Sequence, residues 1–181
     1  NLLKSDPRTT LDASAIAKGY ACDVVANLLR KKGCDNLLVD IGGEVVLQGI
    51  NDKGKEWRVG ITRPTIDAMG AEKQLQEVIA SNHLCMATSG NYLQYYFVDG
   101  QRRSHTIDPR TGYPVHHSLL SATIVAPDAL SADAYATYCM VIGLEESKRF
   151  ISSRPDLECC LIYDDDGVFR TWCSDGFILQ E

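Results

Sequence analysis

Residues 36–62, NLLVDIGGEVVLQGINDKGKEWRVGIT, decide what kind of sheet this chain can build. Residues 36–41 form an apolar run with the length of a buried strand, and a Gly-Gly pair breaks it. Residues 44–50 and 56–62 flank the turn sequence NDKGK, a pattern that predicts a hairpin between them. Because hairpins join antiparallel strands, this run indicates a largely antiparallel sheet.

Helical patterns lie on both sides of these strands. Apolar residues recur with a helical period from Ser14, a suitable N-cap, to about Lys32, and Gly33 fits the position just past a helix end. Toward the other end of the chain, the sequence predicts two further helices over 127–143 and 145–153.

More strand patterns surround these two helices. They fall at 78–87, 119–126, 157–163 and 168–172, and the last two flank the turn sequence DDDG. Several hairpins with a few helices predict an α+β domain with a mixed, largely antiparallel sheet and packed helices.

The bulk composition narrows the function classes. The 181 residues carry 24 acidic and 18 basic side chains, for a formal net charge of −6, which disfavours a nucleic-acid binder. No apolar run reaches the roughly 18–20 residues that span a bilayer. The seven cysteines include no C-x-x-C pair, so a zinc site is not indicated, and composition alone favours a reducing compartment.

The start of the first helix has the composition of an anion site. Small residues crowd the segment DASAIAKGY, helix N-termini attract anions, and Lys18 would add a point charge for a phosphate. The alternative is structural: Asp12 or Ser14 caps the helix while alanine and glycine permit close packing.

The predicted helix over 127–143 carries a carboxylate and a hydroxyl four residues apart. Asp133 and Thr137 therefore share one face, and oxygen ligands of this kind suit Mg²⁺. The alternative is that Asp133 stabilises the helix dipole while Thr137 bonds back to a carbonyl.

The stretch HTIDPRTGYP combines proton-transfer chemistry with a stiff backbone. His105 can accept or donate a proton near neutral pH, and Asp108-Pro109 has the composition of a turn. The alternative is a tight turn with a solvated Arg110. A metal site with the later histidines is disfavoured, because adjacent side chains on a strand point to opposite faces.

Six stretches resemble, in their order along the chain, those of the ApbE family of flavin transferases, and the likeness covers nearly the whole chain. They are LDASAIAKGYACD, LVDIGGEVVLQG, WRVGI, ATSGNY, HTIDPRTGYPV and ALSADAYATYCMV. The resemblance implies an ApbE-like, T-fold-related domain. It also implies Mg²⁺-dependent transfer of FMN from FAD to a Thr or Ser hydroxyl of a target protein, with release of AMP. Two alternative functions remain open for the same site: an FAD pyrophosphatase, which gives FMN and AMP, and a non-catalytic flavin-binding protein.

The resemblance also implies site residues, of three kinds. They are the nucleotide contacts Asp12, Lys18 and Ile107, the metal ligands Ala15 (through its carbonyl), Asp133 and Thr137, and a histidine implicated in catalysis, His105. Some family members carry another acid three residues after the metal-binding Asp, where this chain has Ala136.

The resemblance carries expectations about context as well. Residues 1–181 are expected to be the C-terminal portion of the family domain, with the N-terminal part, which completes the flavin and adenine pocket, absent. Family members are typically exported and lipid-anchored on the periplasmic side of the inner membrane. The expected partners are FAD and a flavin-bearing subunit of an electron-transport complex.

Overall fold

The computed structural model describes residues 3–62, 75–91, 95–98, 101–104 and 106–177. Three helices and twelve strands occur in these residues. In chain order they are α1 (Ala17–Lys31), β1 (Leu37–Ile41), β2 (Glu44–Gln48), β3 (Trp57–Thr62), β4 (Leu75–Ser81), β5 (His83–Gly90), β6 (Tyr95–Val98), β7 (Gln101–Ser104), β8 (Ile107–Asp108), β9 (Tyr113–Pro114), β10 (Leu119–Val125), α2 (Ala129–Ile142), α3 (Leu144–Ser152), β11 (Glu158–Asp165) and β12 (Val168–Cys173). None of the helices in this part of the chain combines the length and apolar character that a bilayer span requires.

The main sheet has six strands in the order β1-β2-β5-β10-β11-β12. Neighbouring strands pair antiparallel at every step, and so do the separate two-stranded ribbons β3-β4, β6-β7 and β8-β9. The prediction of an α+β domain with a largely antiparallel sheet is confirmed.

The hairpin predicted between residues 44–50 and 56–62 is wrong. Both central residues of the β1–β2 turn, Gly42 and Gly43, have positive φ (67° and 98°), the requirement of a tight two-residue hairpin. Strand β2 therefore pairs with β1 on one side, and it pairs with β5 on the other. Only the bridge Ile50–Glu56 remains of the predicted hairpin, and β3 pairs with β4 instead.

The helices cover one face of the sheet. Helices α2 and α3 pack on β10 and β11, and α1 packs on β1 and β2. The opposite face forms a second apolar cluster in which Ile61 and Ile79, from β3 and β4, join residues of β2, β5 and β11. The sheet is thus the middle layer, and its helix-covered side holds α1 and α2 against each other.

Helix α1 begins later than predicted. Ile16 occupies the N-cap position and no side chain caps the helix, so the predicted cap at Ser14 is wrong. The Ser14 backbone N–H donates instead to Asp12 Oδ1 (2.6 Å), and the Ala13 carbonyl accepts from the N–H of Ala17 (2.9 Å). Ser14 therefore belongs to a turn closed by the Asp12 side chain and does not cap the helix.

The predicted end of α1 and the predicted limits of α2 agree with the structure to within two residues. Gly33 has φ +85° directly after α1, and its N–H donates to the carbonyl of Arg30 (3.0 Å), as expected for a left-handed helix end. Asp128 caps α2 by accepting from the Ser131 N–H (2.7 Å), and Gly143 (φ +82°) follows its last residue.

Gly19 permits the close approach of α1 and α2. A Cβ on Gly19 would overlap the carbonyl oxygen of Ala129 and would lie 2.6 Å from its carbonyl carbon and 2.9 Å from Asp133 Cβ. Backbone atoms cannot yield to a methyl group as a flexible side chain can. The two helices therefore cross where α1 has no side chain.

We expect Gly19→Ala to destabilise the fold by about 1–3 kcal/mol, the usual cost of overpacking. In an ordinary helix interior the same change stabilises by roughly 0.5–1 kcal/mol, so the sign itself is diagnostic. Urea unfolding of the two proteins measures the difference, and a more stable variant would show that the helices do not meet here.

Asp23 on α1 joins the two helices a second time. Its Oδ1 and Oδ2 accept from the backbone N–H groups of Ala129 (3.0 Å) and Leu130 (2.9 Å) in the first turn of α2. These N–H groups have no partner inside their own helix. The carboxylate therefore caps a helix that lies more than a hundred residues further along the chain.

We expect Asp23→Ala to lower the free energy of unfolding by about 2 kcal/mol, because two N–H groups lose a charged acceptor. Asp23→Asn keeps one acceptor oxygen and should lose roughly half as much. Urea denaturation tests both. Wild-type stability of the alanine variant would mean that water replaces the carboxylate without cost.

Candidate functional site

A cavity of about 1040 Å³ opens where the start of α1 meets α2 and the sheet. Its lining comes from the turn before α1, the β1–β2 turn, and strands β3, β5 and β8, and helix α2 completes it. Five of the residues predicted for the site line this one cavity: Ala15, Lys18, Ile107, Asp133 and Thr137.

Asp133 connects the cavity to the start of α1. Its side chain is buried, and Oδ2 accepts from the backbone N–H of Gly19 across a sequence separation of 114 residues (3.0 Å). Within the described residues, Oδ1 has no hydrogen-bond partner. The bond that Asp133 makes thus reaches the first turn of α1, and one carboxylate oxygen remains available at the cavity.

Thr137 lies one turn further along α2 and also lines the cavity. Its Oγ1 is 3.2 Å from Oγ of Ser89 on β5, rather than bonded back to a carbonyl of its own helix. The alternative prediction, in which the Thr137 hydroxyl bonds back to a carbonyl of its own helix, is therefore wrong. Ser89 lies in ATSGNY, one of the stretches that carry the family resemblance, but the sequence analysis did not name it as a metal or nucleotide ligand.

Three residues that carry oxygen atoms of the kind that Mg²⁺ prefers line this cavity. The groups are the carboxylate of Asp133, the hydroxyl of Thr137 and the backbone of Ala15, which lies in the turn before α1. Ala136, at the position where some family members have an acid, lies on the face of α2 that packs into the core and is fully buried. No group of three or more His, Cys, Asp or Glu side chains suited to a metal occurs in the part of the chain that the structure describes, so such an ion would depend on the Asp133 carboxylate together with hydroxyl, carbonyl and ligand oxygens.

Lys18 lines the cavity and is held by an ion pair. Its Nζ lies 2.5 Å from Oε1 of Glu44; the Lys18 side chain is about half exposed, while that of Glu44 is 1% exposed. Burial raises the pKa of Glu44, an effect only partly offset by the hydrogen bond from Lys18, and the nearby Asp133 adds to the rise. The sequence reasoning missed Glu44, although an acid inside the apolar run IGGEVVLQG is the signal of a buried, paired carboxylate.

Asp12 lies outside the cavity lining. It is exposed, and its hydrogen bonds to Ser14 lower its pKa and hold the turn before α1. Its predicted contact with a nucleotide stays a prediction. The structure assigns Asp12 the local task of shaping the segment that carries Ala15.

His105 lies outside the described residues, so its predicted part in catalysis stays a prediction. Its neighbours Thr106 and Ile107 line the cavity, and Ile107 is half exposed there. Arg110 is not among the lining residues; its guanidinium pairs with Asp108 (2.8 Å), which lowers the pKa of that carboxyl. The tight-turn alternative with a solvated arginine describes this segment.

The cysteines offer no activated thiol at the cavity. All seven lie in the described residues, and no disulfide links them. Burial raises the pKa of Cys22, Cys85 and Cys139 to about 11, so these thiols are neutral near pH 7. No cysteine is among the described residues that line the cavity.

The fold and this cavity define an α+β protein with a polar cleft between two helices and a sheet. The sequence model of the ApbE family matches residues 1–161. FAD:protein FMN transferases from Escherichia coli K12 and Klebsiella pneumoniae are 40% and 39% identical over 176 residues, covering 97% of this chain and 49% of theirs.

Solved structures agree with the sequence comparison. The flavin transferase ApbE from Vibrio cholerae superposes with a TM-score of 0.82 at 37% identity, over 94% of this chain and 52% of that one. The apo form of the Pseudomonas stutzeri flavinyl transferase ApbE gives 0.79 at 32% identity, over 93% and 50%. The chain belongs to the ApbE family. It spans about half the length of the curated relatives that it matches.

Proposed function

We propose that the cleft binds FAD together with Mg²⁺, and that the protein transfers FMN to a Thr or Ser hydroxyl of a target protein and releases AMP. One observation carries the proposal: Lys18 and Asp133, from distant parts of the chain, line one cavity. Lys18 lies in the first turn of α1, and Asp133 accepts a hydrogen bond from the next residue of that turn, Gly19. The names of the relatives support it, because they are FAD:protein FMN transferases.

The residues of the cleft fit an Mg²⁺ ion. Asp133, Thr137 and the carbonyl of Ala15 would hold it, and Lys18, which lines the same cavity, would face the phosphates. When bound, the ion would neutralise charge that develops on the phosphoryl group and on departing AMP. Lys18 adds a fixed positive charge in a partly desolvated wall, where it acts more strongly than in water.

In the proposed reaction the acceptor hydroxyl attacks the phosphorus atom of the FMN half. A new O–P bond forms, the P–O bond to the AMP half breaks, and AMP leaves with the bridging oxygen. His105 accepts the proton of the hydroxyl. The Asp108–Arg110 ion pair and the Pro109 turn stiffen the segment after it, which would limit the freedom of His105 beside the scissile bond.

The experiment that tests this function uses the complete protein with FAD, Mg²⁺ and a target bearing the acceptor residue. Flavin covalently attached to the target, detected by mass, together with AMP in equal amount, is the expected result. Free FMN formed without regard to the target would assign an FAD pyrophosphatase. Bound FAD without either product would leave a flavin-binding protein.

We also propose the context that the family resemblance suggests. The acceptor is a flavin-bearing subunit of an electron-transport complex, and the complete protein acts on the periplasmic side of the inner membrane through a lipid anchor. Fractionation of cells, with release of the protein only by detergent, is the expected outcome. Recovery in the soluble cytoplasmic fraction would contradict this location.

A further inference from the structure

Glu44 is a buried carboxylate with only half of its hydrogen bonding satisfied. It begins β2 directly after the Gly42-Gly43 turn, and Oε1 binds the Lys18 ammonium at 2.5 Å. Its other oxygen, Oε2, is buried and has no partner within the described residues. A buried charge of this kind is costly to the fold. Stability alone therefore gives no reason for its presence.

The position of Glu44 determines where Lys18 can reach. Lys18 and Gly42 line the cavity, whereas Glu44 lies behind that wall. A Cβ on Gly42 would lie 3.4 Å from Lys18 Cδ and 3.7 Å from Glu44 Oε2. The lysine stem thus passes over the glycine to its partner. In this position the Lys18 ammonium lies at the cavity wall, in an ion pair with Glu44.

Glu44 also changes the charge of the cleft. Burial raises the pKa of Glu44, and repulsion between its carboxylate and that of Asp133 adds to the rise. Lys18, Glu44 and Asp133 together carry a net charge of −1. A diphosphate entering the cleft meets the Asp133 carboxylate and a lysine that is already paired with the buried Glu44. A divalent cation at Asp133 would change the sum to +1.

We propose that Glu44 is a positioning residue that makes binding of the diphosphate depend on the divalent cation. It does so by tying Lys18 to the wall and by adding a second buried negative charge beside Asp133. This inference rests on the proposed function, which supplies both the diphosphate and the cation.

The test measures the Kd of FAD by flavin fluorescence, in EDTA and in saturating Mg²⁺, for the complete protein and for Glu44→Gln. Glutamine keeps the shape and an acceptor for Lys18 but removes the charge. We expect wild-type FAD binding to weaken strongly in EDTA. In Glu44→Gln, the Kd in EDTA should fall by roughly tenfold, as expected from removing a unit charge at this range in a partly solvated site. The Kd in Mg²⁺ should change much less.

The direction of the change separates this role from a structural one. Damage to the cleft would weaken FAD binding in both conditions, whereas the proposed role tightens it in EDTA. Glu145→Gln on α3 is the matched control, because Glu145 also pairs with a lysine, Lys148, and does not line the cavity. It should leave both constants unchanged. If Glu44→Gln does not fold, Glu44→Met removes the same charge with an apolar side chain, and the same shift is expected.

Two results would overturn the inference in distinguishable ways. If wild-type binding depends on Mg²⁺ and Glu44→Gln shows the same ratio of constants, Glu44 does not couple the two ligands and the proposed function stands. If the wild-type protein binds no FAD in either condition, the proposed function fails and this inference fails with it.

Discussion

Asp133→Asn is expected to slow AMP release from FAD by roughly 10²–10³-fold at limiting Mg²⁺, the usual cost of losing one preorganised electrostatic contact. Asparagine retains an oxygen that can accept from the Gly19 N–H, so the link between α1 and α2 survives. What the variant loses is the negative charge that would hold the cation. Chromatographic quantitation of AMP measures the rate, and higher Mg²⁺ should recover part of it.

The matched control for this variant lies five residues earlier. Asp128→Asn makes the same chemical change next to the same helix, at its N-cap and outside the lining of the main cavity. Asparagine caps as well as aspartate, so both stability and AMP release should stay at wild-type values. Unchanged AMP release by Asp133→Asn at limiting Mg²⁺ would remove the metal role from Asp133.

His105→Ala is expected to slow FMN transfer by roughly 10²–10⁴-fold, which is the range for loss of a general base. The Kd of FAD should stay within a few-fold of wild type, because the proposed task of His105 concerns the incoming hydroxyl and not the nucleotide. Single-turnover transfer to the target measures the rate, and flavin fluorescence measures binding.

His116→Ala is the control for this second variant, since His116 is an exposed histidine a short distance along the chain. It should transfer FMN at the wild-type rate. Loss of FAD binding by His105→Ala, with transfer normal once FAD is saturating, would contradict the base assignment and would make His105 a binding residue.

Local patterns predicted the local parts of this fold. The start of the helix predicted over 127–143 and the end of α1 at Gly33 depend only on near neighbours in sequence, since Asp128 accepts from Ser131 and Gly33 donates to Arg30. The predicted cap at Ser14 was wrong because Asp12, only two residues away, competes for the same turn. Helical periodicity likewise placed Asp133 and Thr137 on one face before any tertiary contact was known.

Long-range pairing decided the rest and could not be predicted from spacing. Strand β2 pairs with β5 rather than with β3. The tight turn at Gly42 pairs one edge of β2 with β1, and its other edge pairs with β5 in the middle of the sheet. The role of Glu44 at the site could not be predicted from the sequence for the same reason. Its partner Lys18 lies 26 residues earlier, and its burial exists only in the folded chain.

One divalent ion is expected to bind between the turn before α1 and the Asp133–Thr137 face of α2, against the diphosphate of FAD. A crystal structure of the complete protein with FAD and Mn²⁺, with anomalous diffraction from the metal, tests it most directly. We expect a single anomalous peak, bound by the Asp133 carboxylate, the Thr137 hydroxyl, the Ala15 carbonyl and a phosphate oxygen. Bound FAD with no peak at these oxygens, or with the metal elsewhere, would contradict it.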